Sequence, residues 1–122
     1  MNALILLLAP GIPWHVHDPV IQDMHSEANK WRTRYGVVTI ALDEECCVLA
    51  QRHAEFMAQH NWFEHGQHDQ IISRGYRDAT GAIWSWVNSP PHLQWLISGR
   101  RRCGWGHAVS RDGVHYWAGV FR

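Results

Sequence analysis

Neither sign of charge is in excess in this chain. Lysine and arginine together number eleven, aspartate and glutamate eleven, and the formal net charge at neutral pH is zero. No long-range field therefore favours nucleic acid or an anionic membrane surface as a partner. The only basic run, Arg100-Arg101-Arg102, reads as a solvated turn. Cysteine is scarce: Cys46, Cys47 and Cys103 are three in number, which is no disulfide scaffold and leaves at least one thiol unpaired. Cys46 and Cys47 are neighbours on an expected helix, where adjacent side chains point about 100° apart. Three reduced thiols packed as small hydrophobes are the expectation. Long apolar runs are missing too. The stretch from Ala3 to Ala9 is well short of the roughly 20 residues that span a bilayer, so no integral membrane span is expected. No basic residue precedes it, and it resembles an incomplete signal peptide as much as a terminal segment laid on the domain.

What remains is the composition of one globular domain. The chain has 122 residues, 46% of them hydrophobic and 18% charged, enough for one core and too few for two. Eight tryptophans and ten histidines are the unusual entries in that composition. The chain divides into an N-terminal apolar segment and linker, residues 1–19, and a domain over residues 20–122. Within the linker, Pro13 and Pro19 flank His15-x-His17, which reads as a stiff extended surface connection rather than a metal clip.

Asp18 with Pro19 opens a helix whose apolar positions Ile21, Met24, Ala28, Trp31 and Tyr35 recur at helical spacing up to Gly36. After a β-branched connection, Asp43 caps a second helix, with Glu44 and Glu45 in its positive first turn. Cys46, Ala50, His53 and Met57 share one stripe of it, and His53 reads as a hydrogen-bonded core histidine. Gly66 is expected to let the backbone turn sharply after His65 and so expose that ring. Ile71, Ile72 and Tyr76 suggest a short helical turn. Pro90 and Pro91 end one helix near Asn88 or Ser89 and start another, which fixes His92 in the first turn at a rigid junction. Leu93, Trp95, Leu96 and Ile97 form the apolar face behind it. The chain closes in a hairpin, residues 102–110 and 114–121 about the turn Arg111-Asp112-Gly113.

Several of these stretches also carry a resemblance. Trp86-x-x-Ser89-Pro90-x-His92 resembles the W-x-x-S-P-G-H signature of the CAP superfamily, which includes cysteine-rich secretory proteins, antigen 5 and pathogenesis-related class 1 proteins. Asn29-x-x-Arg32, Phe63-x-His65, Gly75-Tyr76, Gly104-x-Gly106 and Tyr116-Trp117 resemble further family motifs in the family's order. The resemblance implies an α+β fold, a trimmed three-layer α-β-α sandwich of the small bacterial type that ends in a β-hairpin. It implies a cleft holding His65 and His92, with Ser89 and Trp86 beside them. The two glutamates that usually join those histidines have no counterpart. One position is Ser89, and the other falls on Ala82 or in a deletion after Tyr76.

Three functional readings follow. The first is an extracellular or cell-envelope binding module without catalysis, a cytoplasmic location being the alternative. His65 and His92 would hold zinc or another divalent metal, or the cleft would take a small hydrophobic ligand or a protein. Two imidazoles are short of the four ligands of a structural zinc site, so affinity should be modest. The second is a hydrolase using Glu64 or Asp69 beside a histidine, or Ser89 with His92. The third is a degenerate structural domain without a ligand.

Overall fold

A computed structural model describes residues 13–122; the apolar run from Ala3 to Ala9 lies outside them. Pro13 leads into a 3-10 turn, His15–His17, instead of an extended connection. Glu44 is the reason: its carboxylate accepts from the Val16 N–H at 3.0 Å and meets His15 Nδ1 at 2.5 Å. The turn is thereby stapled to the start of the second helix.

Helix α1 is Pro19–Arg34, with the Asp18 carboxylate accepting from the N–H groups of Val20 and Ile21. Helix α2 is Glu44–His60, with Asp43 accepting from the N–H of Cys46. Both begin where short acceptor side chains satisfy orphan donors. Helix α3 is Ala79–Val87, capped by Asp78. Helix α4 is Pro90–Leu96, with Ser89 at its N-cap, so the paired prolines divide two helices as expected.

Four strands form one sheet in the order β1-β3-β4-β2. They are β1 (Ala41–Leu42), β2 (Gln70–Arg74), β3 (Arg102–Val109) and β4 (His115–Phe121). β1 lies parallel to β3, and the other pairings are antiparallel. β2 replaces the helical turn expected around Ile71 and Ile72. Residues 70–73 are all buried, because helices cover both faces of this sheet, and a strand covered on both faces shows no alternation to distinguish it from a buried helix.

Glycine sets the spacing on one face. A Cβ on Gly104 would stand 2.1 Å from the backbone nitrogen of Cys47, and one on Gly106 would stand 2.4 Å from the carbonyl carbon of Ala50. Helix α2 thus rests directly on β3, burying Cys46, Ala50, Ala54 and Met57 against Ile72, Tyr116, Ala118 and Val120. Trp105 points to the opposite face, where Ile21, Met24 and Ala28 of α1 and Ile83 and Trp86 of α3 meet Trp105, Trp117 and Phe121. The three indoles are at most 1% exposed; aromatic rings of this size dominate the apolar area that a small core buries. All three cysteines are buried and unpaired. Burial pushes the thiols of Cys46 and Cys47 up to about 12, so they stay protonated at neutral pH and serve as packing groups.

Two features pin the ends of this assembly. β1 covers β3 only at Arg102 and Cys103. Farther along that edge the Gln51 side chain takes the place of a strand, its Oε1 accepting from the His107 N–H at 2.9 Å and its Nε2 donating to the His107 carbonyl at 2.8 Å. On α1, Asn29 and Arg32 hold the connection to β1. Asn29 exchanges two hydrogen bonds with the backbone of Ile40. Arg32, 1% exposed, donates to the carbonyls of Val38, Leu96 and Ser98 at 2.8, 2.7 and 2.9 Å. It therefore ties α1 to the carboxyl end of α4, where a helix favours a cation.

Candidate functional site

The paired-proline junction delivers His92 in the first turn of α4. Its Nδ1 lies 2.9 Å from Ser89 Oγ, and Ser89 offers no side-chain bond to the helix backbone. The serine is therefore a partner to the ring. When Nδ1–H donates to Ser89, Nε2 presents a free lone pair, the arrangement a metal-ligating histidine usually adopts.

His65 comes from the segment after α2. What positions it differs from the sequence expectation. The positive-φ glycines among the described residues are Gly36, Gly75 and Gly113, so Gly66 makes no left-handed turn. Its missing side chain instead makes room for His53, whose Nδ1 would lie 2.6 Å from a Cβ there. The Nε2–H of His53 donates to the carbonyl of Glu64 at 2.6 Å, and Gln70 Oε1 accepts from the Gly66 N–H at 2.8 Å. His53 is hydrogen-bonded as the sequence suggested, but it is half-buried at the rim and not part of the core, and its work is to hold the segment that carries His65.

His65 and His92 line one cavity of about 450 Å³, together with His68, Gln67, Gln70 and Trp95. Burial holds the His92 ring below its ordinary value, and the nearby charge of His65 adds to the effect. Neutral imidazole is therefore the resting form of His92 at neutral pH. Among the described residues, no carboxylate is in the wall.

Trp86 is not in the cleft. It is 1% exposed, its Nε1–H donates to the Ile72 carbonyl at 2.9 Å, and it stacks on Trp105 with centroids 6.1 Å apart. Its place near His92 in sequence reflects the α3–α4 junction, while its side chain faces the sheet. Ala82 is fully buried in α3 and marks no cleft position. Sequence reasoning did not single out Gln70, and it placed Trp95 in the apolar face behind His92. Gln70 is hidden inside a strand read as a helical turn. Trp95 is one of four apolar residues on a short helix, and nothing in the spacing distinguishes the one that meets the cavity.

The acids proposed for hydrolysis lie elsewhere. Asp69 is 8% exposed. Burial alone would raise its carboxyl, but hydrogen bonds from Gln67 and Arg122 outweigh that and hold it below the usual range. It is committed to the carboxyl end of β4. Glu64 is exposed and supplies only its carbonyl to His53.

The donor set would offer a divalent ion the imidazoles of His65 and His92, with water completing the coordination. It does not fit a closed structural site, since no group of three histidine, cysteine or acidic residues among the described residues stands ready to hold a metal. Among them, no helix is long and apolar enough to cross a membrane.

Comparison with known proteins agrees with this architecture. An outer surface protein from Borrelia burgdorferi is similar with a TM-score of 0.71 at 17% identity, covering 82% of this chain and 91% of that one. The hookworm platelet inhibitor gives 0.69 at 10% identity, covering 83% and 67%. An extracellular protein containing an SCP domain from Bacillus anthracis gives 0.64 at 18% identity, covering 94% of this chain and 44% of that larger one. At such identities the likeness is one of fold. No curated protein matches in sequence. The family model for CAP, the cysteine-rich secretory protein family, matches residues 25–121. The chain belongs to the CAP family.

Proposed function

We propose that this chain is a non-enzymatic CAP-type binding module that works outside the cell or at the cell envelope and takes its ligand in the histidine-lined cavity. The carrying observation is that His65 and His92, delivered by separate segments, line one open cavity to whose wall the described residues contribute no carboxylate. General acid–base chemistry at a metal or an activated water would normally pair histidine with a carboxylate, whereas weak coordination of zinc or another divalent metal needs only neutral rings and water. Nitrogen donors favour zinc, copper or nickel over calcium or magnesium. Trp95 and Ile71 on the same wall supply the apolar surface for a small hydrophobic ligand or a protein side chain. The extracellular setting rests on the outer-surface and extracellular proteins that share this fold.

Calorimetric titration of zinc at pH 7 tests the metal reading. The wild type should bind, and the His65→Ala, His92→Ala double variant should lose at least about tenfold in affinity, roughly 1.4 kcal/mol. His60→Ala, altered outside the cavity, should match the wild type. Binding should fall toward pH 5, because protons compete for the rings. Equal heats from the wild type and the double variant would end the metal reading.

A further inference from the structure

A second pair of histidines lies at the other end of the sheet. The cavity adjoins Gln70, which pairs with Val120 of β4; His115 opens the same strand, roughly 17 Å away at the antiparallel rise per residue. On the face covered by α1 and α3, His107 of β3 sits diagonal to His115. His107 Nε2 and His115 Nδ1 are 2.8 Å apart. The ring centroids are 5.0 Å apart and the planes 21° apart. The nitrogen contact thus accounts for nearly all of the gap that the ring radii leave, and the two nitrogens point at each other. This is the geometry of an N–H···N hydrogen bond. His107 also stacks on Trp117 at 4.0 Å, and Gln51 holds its backbone.

We propose that His107 and His115 form an acid-operated latch at the tip of the β3–β4 hairpin: one bridging proton closes it, and full protonation of both rings drives them apart and frees the turn.

The proton count gives the reason. Two neutral imidazoles hold two protons on four nitrogens, and one of these bridges. A third proton goes to an outward nitrogen and leaves a charge-assisted bridge, stronger than the neutral one. A fourth has no site except the second inward nitrogen, where two N–H groups would oppose each other within two adjacent cations.

The surroundings do little to relieve that conflict. Asp18, at the amino end of α1, favours the His107 cation, but burial and the charge of His115 outweigh it and push His107 down to about 4. From α2 the neutral Gln51 amide meets the His107 backbone, and the Glu55 carboxylate accepts from that amide at 3.2 Å. From β2 the Ser73 hydroxyl lies in register with Trp117 and is engaged with Ser85 of α3. In the turn, Asp112 is hydrogen-bonded to the Ser110 hydroxyl, and Arg111 is exposed and adds only like charge. Gln51 holds the His107 backbone and the Gly75 N–H donates to the His115 carbonyl at 2.8 Å, so the movement falls to the His115 ring and the turn before it, where Ser110 and Val114 exchange the closing hydrogen bonds.

The sign of the pH dependence follows from His107. Its folded value lies below the unfolded one of 6.5, so the latched state binds fewer protons. Latching should be complete above about pH 6.5 and lost as the pH falls toward 4.

Hydrogen exchange read by mass spectrometry on the whole chain tests this. After correction for intrinsic rates, the peptide across residues 107–117 should lose about tenfold or more of its protection between pH 7 and pH 4, while α2 holds. His115→Gln should abolish that step. In the unaltered protein, the 15N–15N coupling across the hydrogen bond from His107 Nε2 to His115 Nδ1 should be present at pH 7 and absent at pH 4, which needs no variant to fold. The same step in His115→Gln, no hairpin step in the wild type, or a coupling missing at pH 7 or surviving at pH 4 would overturn the latch.

Discussion

Replacing Arg32 by methionine should cost about 3–4 kcal/mol of stability and lower Tm by about 15 °C, one of the largest effects of any single side chain in this fold. The guanidinium is 1% exposed and gives its hydrogen bonds to three main-chain carbonyls, those of Val38, Leu96 and Ser98. Methionine preserves much of the volume and none of the donors; the buried Leu96 carbonyl left without a partner costs about 1–3 kcal/mol, and the partly buried Val38 and Ser98 carbonyls add smaller amounts. Lysine should recover only part of the loss, because one ammonium on a flexible stem cannot reproduce a planar fork. Urea unfolding monitored by circular dichroism checks this: the midpoint should fall with the m-value unchanged. A loss below about 1 kcal/mol would show that water replaces the guanidinium at little cost. The consequence extends to the cavity. Leu96 is the last residue of α4 and His92 lies in its first turn, so if the cavity takes zinc as proposed, loosening Arg32 should weaken that binding without touching His65 or His92.

Alanine at Gly104 should be as damaging by the opposite route. Its Cβ would stand 2.1 Å from the Cys47 nitrogen and 2.2 Å from the Cys46 carbonyl carbon. Both are backbone atoms within α2, so no rotamer change relieves the overlap, and helix and sheet must separate along a face packed at core density. Overpacking ordinarily costs about 1–3 kcal/mol; here the expectation is at or above the top of that range. Gly119→Ala is the comparison. Its Cβ would meet the ring of Trp105 at 2.8 Å and an Ile71 side-chain carbon at 3.3 Å, atoms that can shift. It should cost less, and Trp105→Phe should partly relieve it, whereas Cys46→Ala should not rescue Gly104→Ala. Thermal unfolding of the five proteins decides the matter, and a mild effect at Gly104 would mean that α2 does not rest on β3 so closely.

Much of the scaffold is legible in the sequence because its signals are local. Asp18 with Pro19, Asp43, and the Pro90-Pro91 pair each announce a boundary through one or two residues, and the structure places the boundaries there. The hairpin and the two cavity histidines are legible for the same reason, since each stands beside a turn or a break. Features that depend on tertiary environment are not. β2 is buried on both faces and lacks the alternation that marks a half-exposed strand. The His15–His17 turn exists because of Glu44, far along the chain. Arg32, a charged residue ordinarily assigned to solvent, becomes a core residue only because three carbonyls converge on it. Gly66 reads as the site of a sharp turn, yet its role is the space it leaves for His53. Trp86, adjacent to the site in sequence, turns its ring into the core.

The side-chain amide of Gln51 has a consequence for molecules in a crowd. An open strand margin invites a strand from a neighbouring copy, and here the invitation is declined by an amide that imitates one peptide unit and then stops. Because the imitation is built on a helix, it cannot be extended by another chain. Losing it would leave the domain folded but sticky, with fibrous or strand-exchanged assembly as the new hazard.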